Sequence, residues 1–109
     1  MTRLTSILVV LVAAVLLAAV ALAATDHPVV QKDRAFSVRS LTVRAGDRIV
    51  FTNADNITHN VYSVTAGQEF DLRSQAPGQS DTVTFARPGT AAVECAIHPK
   101  MKLQVVVAP

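Results

Sequence analysis

The feature that most restricts what this chain folds into is an apolar run of 18 residues, 7–24, with no comparable stretch after it. Ahead of the run the only charged residue is Arg3. A positive start, an apolar stretch and the small-residue site Ala21-Leu22-Ala23 are together typical of a secretory signal. The pattern predicts cleavage after Ala23, so the part that folds is short and lies outside the cytoplasm.

An uncleaved membrane anchor is the alternative, because signal cores usually contain about 7–15 apolar residues and about 18 suggest a membrane span. Seven of the 18 residues in the run are alanine, which weakens the span interpretation. We therefore predict an apolar signal or anchor helix at residues 1–23 and one domain at residues 24–109. In either case the domain is expected in the periplasm or at the extracytoplasmic face of the membrane.

The predicted domain has a single cysteine, Cys95, and therefore no internal disulfide. Small exported domains usually depend on disulfides or on a bound metal. A metal is thus the natural stabilising element, and Cys95 must persist as a thiol or as a thiolate ligand. The nine basic and eight acidic residues that follow residue 23 are interspersed, which does not indicate a nucleic-acid partner.

Short alternating or β-branched segments, separated by turn residues, follow one another through the domain. A first edge strand is expected near Val29 in a loose lead-in, and further strands at residues 41–43, 48–52, 60–64, 82–85, 90–95 and 103–107. No segment after residue 24 has a convincing helical period, and residues 68–75 are the hardest to assign. Many short strands at regular spacing predict an all-β sandwich of about seven or eight strands.

The chemically informative stretch is a Cys-x2-His-x2-Met run formed by Cys95, His98 and Met101 between two predicted strands. Thiolate and thioether are soft ligands and imidazole is borderline, a mixture that suits copper in both oxidation states. Two histidines and a cysteine with a weak axial methionine form a blue-copper electron-transfer site. The second histidine is His27, in the lead-in, or His59, after a turn cluster. We favour His59, since a mobile lead-in would hold a metal poorly.

These residues resemble the small cupredoxins, and particularly the amicyanin and plastocyanin types. The resemblance implies a Greek-key β-sandwich with one type 1 copper ion. It also implies that His59, Cys95 and His98 are equatorial ligands, that Met101 is the axial ligand, and that Asn60 braces the two ligand loops. The matching segments are residues 43–47, 51–53, 59–61, 88–90 and the loop at 95–101.

Two positions depart from the loops of those relatives. Ile97 stands where a proline usually precedes the second histidine, and Val93 stands where an aromatic residue is usual. Proline has no N–H, so Ile97 is expected to donate a hydrogen bond to the Cys95 sulfur. The absence of the aromatic residue leaves the electron route and the choice of partner open.

The sequence therefore predicts a carrier of single electrons that cycles copper between Cu(II) and Cu(I) and is not an enzyme. A monomer is expected to meet a protein redox donor and an acceptor, and to contact a membrane only if the N-terminal segment stays attached. A copper-binding or copper-delivery protein is the alternative, and a partner of a larger oxidase is a third. The enclosed ligand set favours electron transfer, because delivery sites tend to be open and rich in methionine or histidine.

Overall fold

The computed structural model describes residues 23–109, so the predicted signal or anchor lies outside the described residues except for Ala23. Within that range no helix is long and apolar enough to cross a membrane. The described chain forms nine strands: β1 (Asp26–Lys32), β2 (Ala35–Phe36), β3 (Ser40–Arg44), β4 (Asp47–Asn53), β5 (Tyr62–Ser63), β6 (Phe70–Asp71), β7 (Ser80–Phe85), β8 (Gly89–Glu94) and β9 (Lys102–Ala108). Strands β2, β5 and β6 have only two residues each. The sequence pattern predicted β5 within residues 60–64 but missed β2 and β6, which is why it gave fewer strands.

The strands form two sheets. One sheet has the order β2-β1-β4-β7, and the other has the order β3-β9-β8-β5-β6. Strands β1 and β4 pair in parallel, as do β3 and β9, and the remaining pairs are antiparallel. The chain passes repeatedly from one sheet to the other, as it does in Greek-key sandwiches. The prediction of an all-β Greek-key sandwich is confirmed.

Alternation along the strands builds the core between the sheets. In β4 every second side chain is buried, with Ile49 and Phe51 fully enclosed, and in β9 Leu103 alternates with exposed neighbours. The Phe51 ring packs at centroid distances of 6.4 Å from Phe36 and 6.0 Å from Phe70. A buried phenylalanine stabilises a fold by about 3–5 kcal/mol relative to alanine, so this cluster fixes how the sheets face each other.

Strand β1 is more regular than the sequence suggested. It lies inside its sheet, between β2 and β4, and pairs with β4 along its length. Val29 and Gln31 both point into the interior and are fully buried. The expectation of a loose lead-in with an edge strand was wrong, because Pro28 and the polar Gln31 conceal the alternation of this segment.

Asp47, the first residue of β4, fastens the beginning of β1. Its carboxylate accepts hydrogen bonds from the backbone N–H groups of Thr25 (2.9 Å) and Arg44 (3.0 Å), and lies 2.9 Å from Nε2 of His27. The hydrogen bond with His27 and, to a smaller extent, the two backbone hydrogen bonds lower the pKa of Asp47 to about 2. The ionised form of Asp47 therefore stabilises the folded state, and His27 has a structural role here.

Replacing Asp47 by asparagine should reduce stability in a pH-dependent way. Because its pKa is lower in the folded state, Asp47 contributes its full stabilisation above pH 3.8 and loses it as the pH falls towards 2. We expect Asp47→Asn to unfold at lower urea concentration at pH 7, with the difference from wild type shrinking between about pH 5 and pH 2. A difference that stays constant over this range would contradict the assignment.

The turn between β1 and β2 holds two residues in the left-handed region. Asp33 and Arg34 have φ values of 53° and 56°, the pattern of a type I′ hairpin turn. This conformation costs residues other than glycine about 1–2 kcal/mol each. Both N–H groups donate to the carboxylate of Asp55, at 2.7 and 3.1 Å, which offsets part of that cost.

Replacing Arg34 by glycine should therefore stabilise the protein. Glycine adopts positive φ without a steric penalty, and the hydrogen bond from the backbone N–H to Asp55 is retained. We expect Arg34→Gly to raise the free energy of unfolding by about 1 kcal/mol in urea denaturation. Arg87 is exposed and is absent from the positive-φ positions, so Arg87→Gly is the matched control and should give no gain. Equal effects of the two substitutions would refute the strain argument.

Candidate metal centre

Two chain segments at one end of the sandwich supply the predicted ligands. His59 lies in the connection between β4 and β5, and Cys95 directly follows β8. His98 and Met101 lie in the short loop that joins β8 to its antiparallel neighbour β9. Because paired strands fix both ends of this loop, Cys95 and Met101 are held at the same edge of the sandwich.

The structure brings the predicted cysteine and two histidines together. Sγ of Cys95 lies 3.9 Å from Nδ1 of His59 and 3.9 Å from Nδ1 of His98, and the two Nδ1 atoms are 3.2 Å apart. Cys95 and His59 are buried, whereas His98 is half-buried. Three donor atoms therefore converge on one small space that is closed on the side of the core.

Met101 belongs to the same loop and is 1% exposed. Its backbone N–H donates to the carbonyl of His98 at 2.9 Å, which closes the turn that carries both residues. His27 was the alternative candidate for the second histidine ligand. It pairs with Asp47 near the start of β1 and β4 instead. The assignment of all four ligands, including Met101 in the axial position, stays a prediction.

The carboxylate of Asp55 orients His59. Its Oδ2 lies 2.6 Å from Nε2 of His59, on the side of the ring opposite Nδ1. Burial opposes ionisation of Asp55, but hydrogen bonds from His59 and from the backbone of Arg34 and Asp33 outweigh it and lower its pKa to about 2. A carboxylate here keeps the proton of a neutral imidazole on Nε2 and leaves the Nδ1 lone pair for a metal. The Asp-x3-His spacing was the available sequence signal for this residue, which lies in the turn cluster before His59.

The backbone of His59 is fixed by a bridge to Gln75. The His59 N–H donates to the Gln75 carbonyl at 3.0 Å, and the Gln75 N–H donates to the His59 carbonyl at 2.7 Å. The Gln75 side chain donates to the Phe51 carbonyl and to Asp81, while the Asn53 amide donates to the Gln75 carbonyl. The segment that the sequence left unassigned thus contributes the residue that anchors His59.

Asn60 connects the two ligand segments. Its backbone N–H donates to Cys95 Sγ at 3.4 Å, its side-chain oxygen accepts from the Ala96 N–H at 3.2 Å, and its amide nitrogen donates to Asp71 at 2.8 Å. The bracing role implied by the resemblance is confirmed. The hydrogen bond expected from Ile97 to the sulfur is absent from the described residues, so that expectation was wrong: the N–H that reaches the sulfur comes from Asn60.

The donor set fits copper. The converging atoms are one sulfur and two imidazole nitrogens, with no carboxylate among them, and the cysteine is free and buried. Soft and borderline donors of this kind suit copper in both oxidation states, and oxygen-preferring cations poorly.

Comparison with known proteins agrees with this chemistry. Residues 24–108 match the copper binding proteins of the plastocyanin/azurin family. The chain belongs to this family. The chemistry of this family is copper binding and electron transfer. The resemblance to the small cupredoxins is therefore confirmed.

Two relatives come from Methylorubrum extorquens. The methylamine utilization protein MauL is 35% identical over 69 residues, which cover 62% of this chain and 60% of MauL. Amicyanin-alpha is 33% identical over 75 residues, covering 66% of this chain and 63% of that protein. The matches thus span less than two thirds of the length of either relative.

Solved structures show the same sandwich. The copper(I) form of an amicyanin variant superposes with a TM-score of 0.68 at 28% identity, covering 83% of this chain and 87% of the variant. A copper-containing nitrite reductase from Thermus scotoductus gives a TM-score of 0.73 at 24% identity, covering 84% of this chain but 24% of that enzyme. The second likeness concerns the fold alone.

Replacing Asp55 by alanine should weaken copper binding by about 10–100-fold, the usual effect of removing a partner that orients a metal-binding histidine. The physical reason is the loss of the hydrogen bond to Nε2, which leaves the ring of His59 free to turn and to change tautomer. Competition with a chelator of known copper affinity measures the effect.

Asp26 provides the matched control for this substitution. Its carboxylate pairs with Arg48 on the exposed side of β1, at the end of the strand remote from Gln31. Asp26→Ala removes the same charge and should leave copper affinity unchanged. If Asp55→Ala bound copper as tightly as this control, Asp55 would have no part in holding His59.

Proposed function

We propose that this protein is an extracytoplasmic, mononuclear type 1 copper protein that carries single electrons between protein partners. The observation that carries the proposal is the convergence of Cys95, His59 and His98 on one point, with Met101 buried in the same loop. Copper bound there would supply a one-electron Cu(II)/Cu(I) couple. No bond in a substrate is made or broken, so the protein itself is not an enzyme.

Burial favours electron transfer over copper delivery. His59 and Cys95 are 0% and 1% exposed, so two of the proposed ligands are inaccessible to a protein that would receive the metal. A delivery protein needs ligands that another protein can replace in turn. The enclosed donors suit an ion that stays bound through many encounters.

Hydrogen bonds around the proposed ligands restrain their positions. Asn60 ties the Cys95 loop to the His59 segment, and Gln75 fixes the backbone of His59. The N–H of Asn60 also places a positive dipole against the Cys95 sulfur, which moderates the charge of a thiolate. Ligands held in this way rearrange little when one electron arrives or leaves.

His98 is the proposed port for electrons. It is half-buried, and its ring lines a hollow of about 290 Å³ together with Arg34, Ile97, Pro99 and Lys100. Ile97 is 53% exposed, so an apolar surface surrounds the accessible edge of the ligand. An exposed apolar patch of this kind is typical of a protein contact surface.

The domain organisation follows from the same proposal. Residues 24–109 form the copper-carrying domain, and residues 1–23 direct it out of the cytoplasm, as a cleaved signal or as an anchor. The relatives MauL and amicyanin-alpha support a role in a redox chain with protein donors and acceptors. The protein is expected to meet those partners as a monomer.

Optical and electron paramagnetic resonance spectra after addition of one equivalent of Cu(II) test the site. The protein purified after expression of the full chain should show an intense thiolate-to-copper absorption band that a reductant bleaches reversibly. Cys95→Ser should lose the band, because the covalent sulfur–copper bond produces it.

His27→Gln is the matched control and should keep the full band, since His27 binds Asp47 far from the ligand loop. A weak spectrum of ordinary tetragonal copper that does not change with Cys95→Ser would refute the proposed site. An intense band combined with rapid loss of copper to a chelator would favour delivery instead of electron transfer.

A further inference from the structure

We propose that the groove on the outer face of the β3-β9-β8-β5 sheet docks an acidic surface of the redox partner, with Arg39, Lys100 and Lys102 as its recognition residues. The inference rests on the proposed function and adds the chemical character of the partner. The groove has a volume of about 560 Å³.

The groove exists because a small residue occupies the middle of the sheet face. Ala92 is exposed on β8, and its register partner on β9 is the longer side chain of Gln104. Thr65 lies on the side of Ala92 opposite Gln104, and its hydroxyl accepts a hydrogen bond from the Ala92 N–H at 3.0 Å. Ala92 therefore leaves a low point between longer neighbouring side chains.

The walls of the groove are basic. Arg39, Lys100 and Lys102 line it, and within residues 23–109 none of them forms an ion pair with a carboxylate. Glu94 is the single acidic residue in the lining, and it accepts a hydrogen bond from the hydroxyl of Tyr62 at 3.1 Å. Three cations and one anion thus line the groove, which leaves a net positive surface.

The other seven acidic residues after residue 23 lie outside the groove lining. Asp55, for example, accepts a hydrogen bond from His59, and Asp71 accepts one from Asn60. The chain is nearly neutral after residue 23, but three exposed cations and one carboxylate line the groove.

The groove is continuous with the proposed electron port. Lys100 lies between His98 and Met101 in the ligand loop and lines both the groove and the apolar hollow beside His98. Arg34 adds a fourth cation at the far rim of that hollow. A protein seated on the groove would therefore also cover the accessible edge of His98.

The geometry fits a partner protein whose contact surface is acidic and has an apolar centre. The cations line a recess that an extended or protruding acidic segment can enter, and the apolar hollow at Ile97 and Pro99 accepts a nonpolar contact beside it. Charges arranged in this way raise association rates and select partners of opposite sign. The association should accordingly weaken as ionic strength rises.

Poly-L-glutamate is the probe for the test. Amide shifts of the ¹⁵N-labelled, copper-loaded and ascorbate-reduced protein are followed by NMR during titration at low ionic strength. We expect the largest shifts at Ala92, Lys100, Lys102 and Gln104, and about tenfold weaker binding by the double variant Arg39→Gln, Lys102→Gln. Arg87→Gln removes one charge from the turn between β7 and β8 and should bind like wild type.

Three outcomes would overturn the proposal: no binding, shifts spread over the whole surface, or equal weakening by the double variant and by Arg87→Gln. Binding to vesicles of phosphatidylglycerol without binding to poly-L-glutamate would assign the groove to a membrane and overturn it as well. The absorption spectrum of the same copper-loaded sample, recorded before ascorbate is added, separates the two proposals. An absent thiolate band in that oxidised sample would refute the copper site, whereas the NMR titration alone tests the groove.

Discussion

The hydrogen bonds of Asn60 are the constraint on which the metal centre depends. His59 and Cys95 are 36 positions apart in the chain, and closing a loop of that length is opposed by conformational entropy. The sandwich brings the two segments to the same end, but strand pairing alone does not fix their separation. Asn60 does so with its backbone N–H on the Cys95 sulfur and its side-chain oxygen on the Ala96 N–H. One residue beside a ligand thus sets the distance to the other ligand.

The interior next to His59 is unusually polar for so small a domain. Gln31, Asn53 and Gln75 are all fully buried there, and burying an amide without hydrogen-bond partners costs several kcal/mol. Their amides bond to one another and to backbone carbonyls, which compensates most of the desolvation, and among the described residues the Oε1 atom of Gln31 is left without a partner. Such a network tolerates few alternative arrangements. It therefore holds His59 more rigidly than an apolar environment, which adapts to small shifts, would.

The sequence predicted the sandwich and the ligand loop because both are local patterns. Alternation within β4 and β9 is visible residue by residue, and the Cys95–Met101 spacing lies on a single loop. The contacts that organise the site are not local. Gln75 reaches His59 across 16 positions from a segment without a regular pattern, and the interior position of β1 depends on its parallel pairing with β4. The donor of the hydrogen bond to the sulfur was misassigned for the same reason, since Asn60 approaches from another segment.

The same use of carboxylates accounts for both the metal centre and the charge of the neighbouring surface. Asp55, Asp71 and Asp81 each accept hydrogen bonds from groups that position the ligand segments, so they are committed to the end of the sandwich that holds the site. None of these three carboxylates forms an ion pair with a lysine or arginine of the described chain. Arg39 and Lys102 therefore keep their charge available to solvent in a chain whose formal charges nearly balance. Net charge calculated from the sequence hides this separation, and the local field around the ligand loop, rather than the total charge, governs which proteins approach it.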